Sequence, residues 1–330
     1  MDTVKLGGNG PAVSRAGLGC MGMSDFYGAA DEQESIATIH AALEAGVTLF
    51  DTGDFYGMGH NELLLRRALE GKRDRAFIQV KFGAQRGPDG GWLGYDARPA
   101  AVKTALAYTL RRLGTEYIDL YQPARLDPAV PVEDTIGAIA DCVKKGWVRH
   151  IGLSEVGVET IRRAHAVHPI AALQIEYSLM SRSIEEKILP AVRELGIAVT
   201  AYGILSRGLL GGKDASRLAK TDFRAHAPRF QGANLAKNQA LVVALGAIAR
   251  EKGATPAQLA TAWVASRGSD IVPLLGARTR EQLASSLAGL QLLLTPRELE
   301  RMEQAVPAAA VAGQRYAAPQ MRTLDSERSA

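Results

Sequence analysis

Gly17-Leu18-Gly19-Cys20-Met21-Gly22 carries the Gly-x-Gly-x-x-Gly spacing of a phosphate-binding turn, and its reading decides the fold. In an open, doubly wound sheet that turn follows the first strand, opens a helix, and is answered by an acidic residue at the end of a second strand. Here Gly17 and Gly19, the two glycines that would make the turn, fall inside the apolar run Ala16 to Cys20. The nearest acidic candidate, Asp51, is a poor fit in spacing. The glycines therefore belong to a strand.

Outward from this run, short apolar segments alternate with amphipathic ones. Strands are expected at Ala16 to Cys20, Thr48 to Thr52, Phe77 to Lys81, Ile118 to Gln122, Val148 to Leu153, Ala172 to Glu176, Ala198 to Tyr202 and Ile271 to Leu275. Helices are expected at Glu32 to Ala45, Glu62 to Leu69, Ala100 to Leu113, Val132 to Lys145, Val158 to His168 and Ile184 to Leu195, with a longer segment from Asn234 to Ser266. Gly46, Gly71, Gly114, Gly146 and Gly196 stand where helix C-termini favour glycine. Eight β-α units without a linker point to an α/β fold in which residues 1–330 form a single (β/α)8 TIM barrel. An N-terminal β-hairpin, Val4 to Val13, and extra C-terminal helices complete it.

Composition excludes several classes. The chain is 47% hydrophobic and 22% charged, as globular proteins are, and its 39 basic against 35 acidic residues form no Lys/Arg block, so no nucleic-acid partner is expected. There is no apolar signal core and no run able to span a bilayer, so a cytoplasmic location is expected. Cys20 and Cys142 are too few for a disulfide framework and read as buried apolar residues.

In a barrel, chemistry sits at the C-terminal ends of the strands. Asp51 and Lys81 end two neighbouring apolar runs, and Tyr56 lies in the loop after the first. The plain reading is a buried salt bridge; the functional one is a proton donor, with the lysine drawing the phenol down from its usual value of about 10.

Asp51-Thr52-Gly53-Asp54-Phe55-Tyr56-Gly57 with Asn61-Glu62, then Lys81-Phe82-Gly83, Gly152-Leu153-Ser154-Glu155, Gln174-Ile175-Glu176-Tyr177-Ser178 and Pro273-Leu274-Leu275-Gly276-Ala277-Arg278, together resemble an aldo-keto reductase along nearly the whole chain. The likeness is to bacterial and plant members related to pyridoxal and general aldehyde reductases. It implies catalytic Asp51, Tyr56 and Lys81 and an extended NADPH/NADP+ bound without a separate nucleotide domain. The nicotinamide amide would meet Ser154 and Gln174, with the ring on Tyr202. The pyrophosphate would lie under Leu205-Ser206-Arg207-Gly208, with Lys213 and Arg224 facing the phosphates. Gly276, Arg278, Gln282 and Ser286 would form the adenosine-phosphate loop, Arg278 at the 2′-phosphate, while Gly22 and Met23 border the cofactor. Tyr27, Phe55, Trp92, Ala124 and Arg125 would line a substrate pocket. Independently, Lys213, Arg217, Lys220 and Arg224 make a local basic excess after the seventh strand, where barrels often build phosphate sites.

Tyr121-Gln122-Pro123-Ala124-Arg125 departs from the family pattern by placing Ala124 where a histidine completes the tetrad. Losing one donor to an oxyanion costs about 3 kcal/mol unless something substitutes. Ala124 makes room for a bulkier ketone, or Arg125 or a water supplies the donor, or the protein is a weak enzyme that chiefly binds cofactor. Milder departures are Gly203-Ile204 for the family's Ser-Pro, and Ser286 for its adenine-facing asparagine.

His165 and His168 share helical spacing but lack a third ligand, so no metal is expected. Met23, Phe26, Tyr27, Trp92 and Tyr95 lie in loops after strands one and three and suggest a roomy apolar pocket. The expected activity is NADPH-dependent reduction of an aldehyde or bulky ketone; the alternative is a cofactor-binding sensor or regulatory subunit. Substrate, direction and oligomeric state are left open.

Overall fold

The structure is a computed structural model, and it describes residues 1–8, 10–24, 26–211, 218–219 and 222–328. The N-terminal strands β1 (Thr3–Lys5) and β2 (Ala12–Ser14) pair as an antiparallel hairpin. The next strands are β3 (Gly17–Gly19), β4 (Leu49–Gly53), β5 (Phe77–Phe82), β6 (Ala84–Arg86), β7 (Trp92–Tyr95) and β8 (Ile118–Pro123). β9 (Val148–Ser154), β10 (Ile170–Glu176), β11 (Ala198–Tyr202) and β12 (Ile271–Gly276) follow. Eight of them close a parallel barrel in the order β3-β4-β5-β8-β9-β10-β11-β12, with β12 returning to β3. The fold is the expected (β/α)8 barrel. Gly17 fits by size: a Cβ there would stand 2.4 Å from Leu49 Cδ2 and 2.8 Å from Leu274 Cδ2, so it serves strand packing rather than a phosphate turn.

The helices are α1 (Glu32–Glu44), α2 (His60–Ala68), α3 (Pro99–Leu113), α4 (Val132–Lys144), α5 (Val158–Val167), α6 (Ile188–Glu194), α7 (Gly232–Glu251), α8 (Pro256–Ser266), α9 (Arg280–Leu290), α10 (Pro296–Ala305) and α11 (Ala318–Met321). The stretch expected to run from Asn234 to Ser266 is two helices. Gly253 turns left-handed (φ 66°), and a Thr255–Gln258 capping box with Pro256 at the first helical position starts the second. Likewise, the segment from Ile184 to Leu195 is a 3-10 turn, Ser183–Glu185, followed by α6. β6 and β7 form an antiparallel hairpin where only a loop was expected.

Residues alternate in facing along each strand, so inward side chains stack in layers. The lowest layer is apolar: Leu49, Phe77, Leu120, Ala172, Ala198, Val272 and Leu274, plugged by Leu6 and Val13 around the hairpin. One end of the barrel is thereby sealed, and polar layers can open only at the other.

Candidate active site

Two residues beyond that plug on their strands stand Asp51, Gln79, Gln122, Gln174 and Thr200, all buried and all polar. Asp51 Oδ1 accepts hydrogen bonds from Lys81 Nζ (2.6 Å), Gln174 Nε2 (3.0 Å) and Gln79 Nε2 (3.1 Å). Gln122 in turn donates to Gln174 Oε1 at 2.7 Å, carrying the network across the barrel. Asp51 lies within β4, not at its end, because the ladder continues to the Gly53–Lys81 pair. Gln174, expected at the nicotinamide amide, is hydrogen-bonded to Asp51 and Gln122.

Tyr56 opens a 3-10 turn whose Gly57, Met58 and Gly59 are all left-handed (φ 56°, 52° and 94°), which folds the phenol back over the mouth. Phe55 packs on it edge-on at 4.8 Å and Phe26 at 6.0 Å; Trp92 lies 5.8 Å from Phe55. Lys81 Nζ stands 5.0 Å from the Tyr56 ring centroid. The expected lowering of the phenol is reversed. Burial, then the Asp51 charge, push Tyr56 well above its ordinary value, and Lys81 is paired with Asp51. Burial also lowers the Lys81 ammonium, against the pull of Asp51.

At the next strands, Ser154 is buried and Tyr202 is half-buried. The adjoining Glu155 (φ 56°) accepts from the Tyr202 hydroxyl at 2.7 Å and from the Glu176 amide at 3.0 Å. Its main partner comes from a part of the chain that sequence reasoning passed over. Arg315, after α10, bonds both Glu155 oxygens (2.9 and 2.5 Å) and reaches Glu176 at 3.4 Å. Tyr316 bonds the Tyr202 hydroxyl at 2.8 Å, and Ser326 closes on Glu155 at 2.6 Å. Burial would raise the Glu155 carboxyl, but Arg315 holds it well below the ordinary range; Glu176 is likewise lowered, by Arg207 and Arg315. The available signal was charge bookkeeping: two acidic residues at adjacent strand ends require buried cations.

On the opposite side, Arg278 donates to the Tyr27 and Ala29 carbonyls (2.9 and 3.2 Å). Among the described residues it has no carboxylate within ion-pair distance. Gln282 fixes its amide at 2.9 Å, Gly22 lies against its side chain, and the space above Gly276 is open. Met23 and Ser286 are buried nearby in their elements, and Leu205 is half-buried. Arg207, of the segment expected over the pyrophosphate, pairs with Glu176 at 2.7 Å, and Arg224, expected to face the phosphates, pairs with Asp222 at 2.6 Å. Lys213 lies outside the described residues.

The chain as a whole is similar to known proteins. The aldo/keto reductase family model matches residues 15–307. The chain belongs to the aldo/keto reductase family. It is 44% identical over 319 residues to a probable aldo-keto reductase 1 of Glycine max, covering 95% of this chain and 91% of that protein. Among solved structures it is similar to the glycerol dehydrogenase of Gluconobacter oxydans, with TM-score 0.84 at 29% identity over 99% of this chain and 98% of that one. It is also similar to the holo form of an aldo-keto reductase from Bacillus halodurans, with TM-score 0.77 at 27% identity over 93% and 97%. Members of this family are oxidoreductases that act on small carbonyl compounds with nicotinamide cofactors.

In this aldo/keto reductase Ala124 is buried, and its amide bonds the Phe82 carbonyl at 2.8 Å. His168 has extended backbone (φ −156°) past the end of α5, so it shares no helical face with His165. Among the described residues, no helix is long and apolar enough to cross a membrane.

Asp54 is half-buried, with its Oδ1 buried and unpartnered, and close enough to Glu62 to feel its charge. Burial, reinforced by Glu62, pushes Asp54 up to about 7. A raised carboxyl binds a proton in the fold that the unfolded chain releases, so its cost to stability grows from about pH 4 to about pH 7 and is constant above. Asp54→Asn is expected to be more stable than the parent at pH 8, by at most about 4 kcal/mol, with the gap closing towards pH 4. Denaturant melts at both pH values check this; an equal effect at both would show that Asp54 is not protonated in the fold.

Proposed function

We propose that the protein is an NADPH-dependent carbonyl reductase for an aldehyde or ketone, with Tyr56 as the proton donor. The observation that carries this reading is the buried Lys81–Asp51 pair beneath a phenol in an aromatic box. Buried ion pairs are weak contributors to stability, so their placement in a barrel mouth favours chemistry. When bound, the cofactor supplies hydride to the carbonyl carbon. Tyr56 gives its proton to the carbonyl oxygen as the C=O π bond opens, so the product is the alcohol. Its high affinity for that proton keeps it in the acid form throughout the neutral range. Lys81 places a positive charge beneath the phenol, easing the negative charge left on it, and Asp51 fixes the lysine. Phe26, Phe55 and Trp92 keep water from the reacting oxygen and suit an apolar substrate body.

The preference for NADPH over NADH rests on Arg278, whose planar donors and uncompensated charge suit a 2′-phosphate. Arg278→Ala is expected to raise the KM for NADPH about 10- to 100-fold while changing that for NADH little. Cofactor oxidation followed against aldehydes, bulky ketones, pyridoxal and sugars tests the function itself. No turnover of any of them by the protein with NADPH bound would overturn it.

A further inference from the structure

Like Arg278, Arg125 is a cation at the mouth with no carboxylate within ion-pair distance among the described residues. Arg207, Arg229, Arg315 and Arg224 each have a carboxylate within 4 Å, whereas among the described residues Arg125 has none. Its Nη1 donates to the Ala124 carbonyl at 2.6 Å and reaches Ser154 Oγ at 3.5 Å; Nη2 reaches the Tyr316 hydroxyl at 3.5 Å. The guanidinium is thus folded back over the residue that lacks a side-chain donor and held between the strand bearing Ser154 and the C-terminal segment. Five N–H donors exceed those three contacts. Burial pulls the guanidinium down, but the phenols of Tyr202 and Tyr316 and the Glu155 charge more than restore it, so it is a cation at every working pH. Its positive charge also acts on the Tyr56 phenol, in the direction opposite to Asp51.

We propose that Arg125, oriented by Tyr316, supplies the second hydrogen bond to the substrate oxygen that Ala124 cannot give. The inference rests on the reductase reading. Arg125 donates a hydrogen bond only; the proton still comes from Tyr56. Tyr316 is a positioning residue, and it makes the C-terminal segment part of the catalytic surface.

The test uses the full chain with NADPH and two neutral aldehydes, benzaldehyde and hexanal, plus 4-formylbenzoate. Arg125→Gln is expected to lower kcat about 100-fold for all three, with smaller changes in KM. Tyr316→Phe is expected to lower kcat less, about 5- to 20-fold. Ala124→His in the Arg125→Gln background is expected to restore at least tenfold of the loss, while doing little in the parent, because the two donors serve one oxygen. Arg125→Lys, a point charge at the same place, is expected to retain part of the rate. Loss confined to 4-formylbenzoate and expressed in KM would overturn the proposal, making Arg125 an anchor for anionic substrates. Failure of Ala124→His to rescue a variant that still binds NADPH would also overturn it. If the parent reduces none of the three aldehydes nor any carbonyl in the wider panel, the reductase reading falls, and this inference with it.

Discussion

Tyr56→Phe is expected to lower kcat for carbonyl reduction by about 10²- to 10⁴-fold while leaving the Kd for NADPH within about twofold. The ring would keep its edge-on contact with Phe55 and its place above Lys81, so only the proton is removed. Fluorescence titration with NADPH separates binding from turnover, and retained turnover would remove Tyr56 from the mechanism. The phenol's upward displacement adds a signature in pH. Reduction needs the protonated form and should show no loss from tyrosine ionisation up to about pH 9; alcohol oxidation needs the phenolate and should climb about tenfold per pH unit from 7 to 10. An oxidation rate already level at pH 7 would mean that Lys81 controls the phenol after all.

Arg315→Ala is expected to destabilise the protein by about 3–5 kcal/mol, because it strands Glu155 as a buried charge and takes one of three cations from Glu176, the other buried carboxylate. Part of the loss should return in Arg315→Ala/Glu155→Gln, which removes one of those charges. Cofactor affinity should fall with stability, since the Tyr202 hydroxyl loses Arg315 and its partner Glu155 loses its main cation. The pH dependence has a definite sign. Both carboxyls are held below their unfolded value of about 4.3, so their contribution is fully present above that pH and is lost as acid is added through the lower folded values. Parental stability should therefore drop steeply below about pH 4, and the variant's should drop less. Chemical denaturation across that range checks both. A variant as stable as its parent at pH 7 would show that the carboxylates find water instead.

The barrel was legible because its strands are short apolar runs closed by glycines and caps, signals local to a few residues. Asp51, Tyr56 and Lys81 were legible for the same reason: each ends or follows such a run. The inward layer of Gln79, Gln122 and Gln174 was not read as one network, because its members come from separate strands and meet only when the sheet closes. The direction of the Tyr56 shift was missed because proximity to a lysine was counted and dehydration was not. Arg315 and Tyr316 were missed for a third reason. They lie beyond the last barrel strand in a segment with no periodic pattern, and their partners Glu155, Glu176 and Tyr202 are more than 100 residues away.

That separation orders the birth of the molecule. β12 pairs with β3 once residue 276 has been synthesised, and the barrel can then close; Arg315 and Tyr316 leave the ribosome some 40 residues later. A nascent chain passes through a stage at which every barrel strand has been made but the residues that complete the mouth have not. A chain ended between residues 276 and 315 would carry every barrel strand but lack the cation that pairs with Glu155 and the hydroxyl that meets Tyr202.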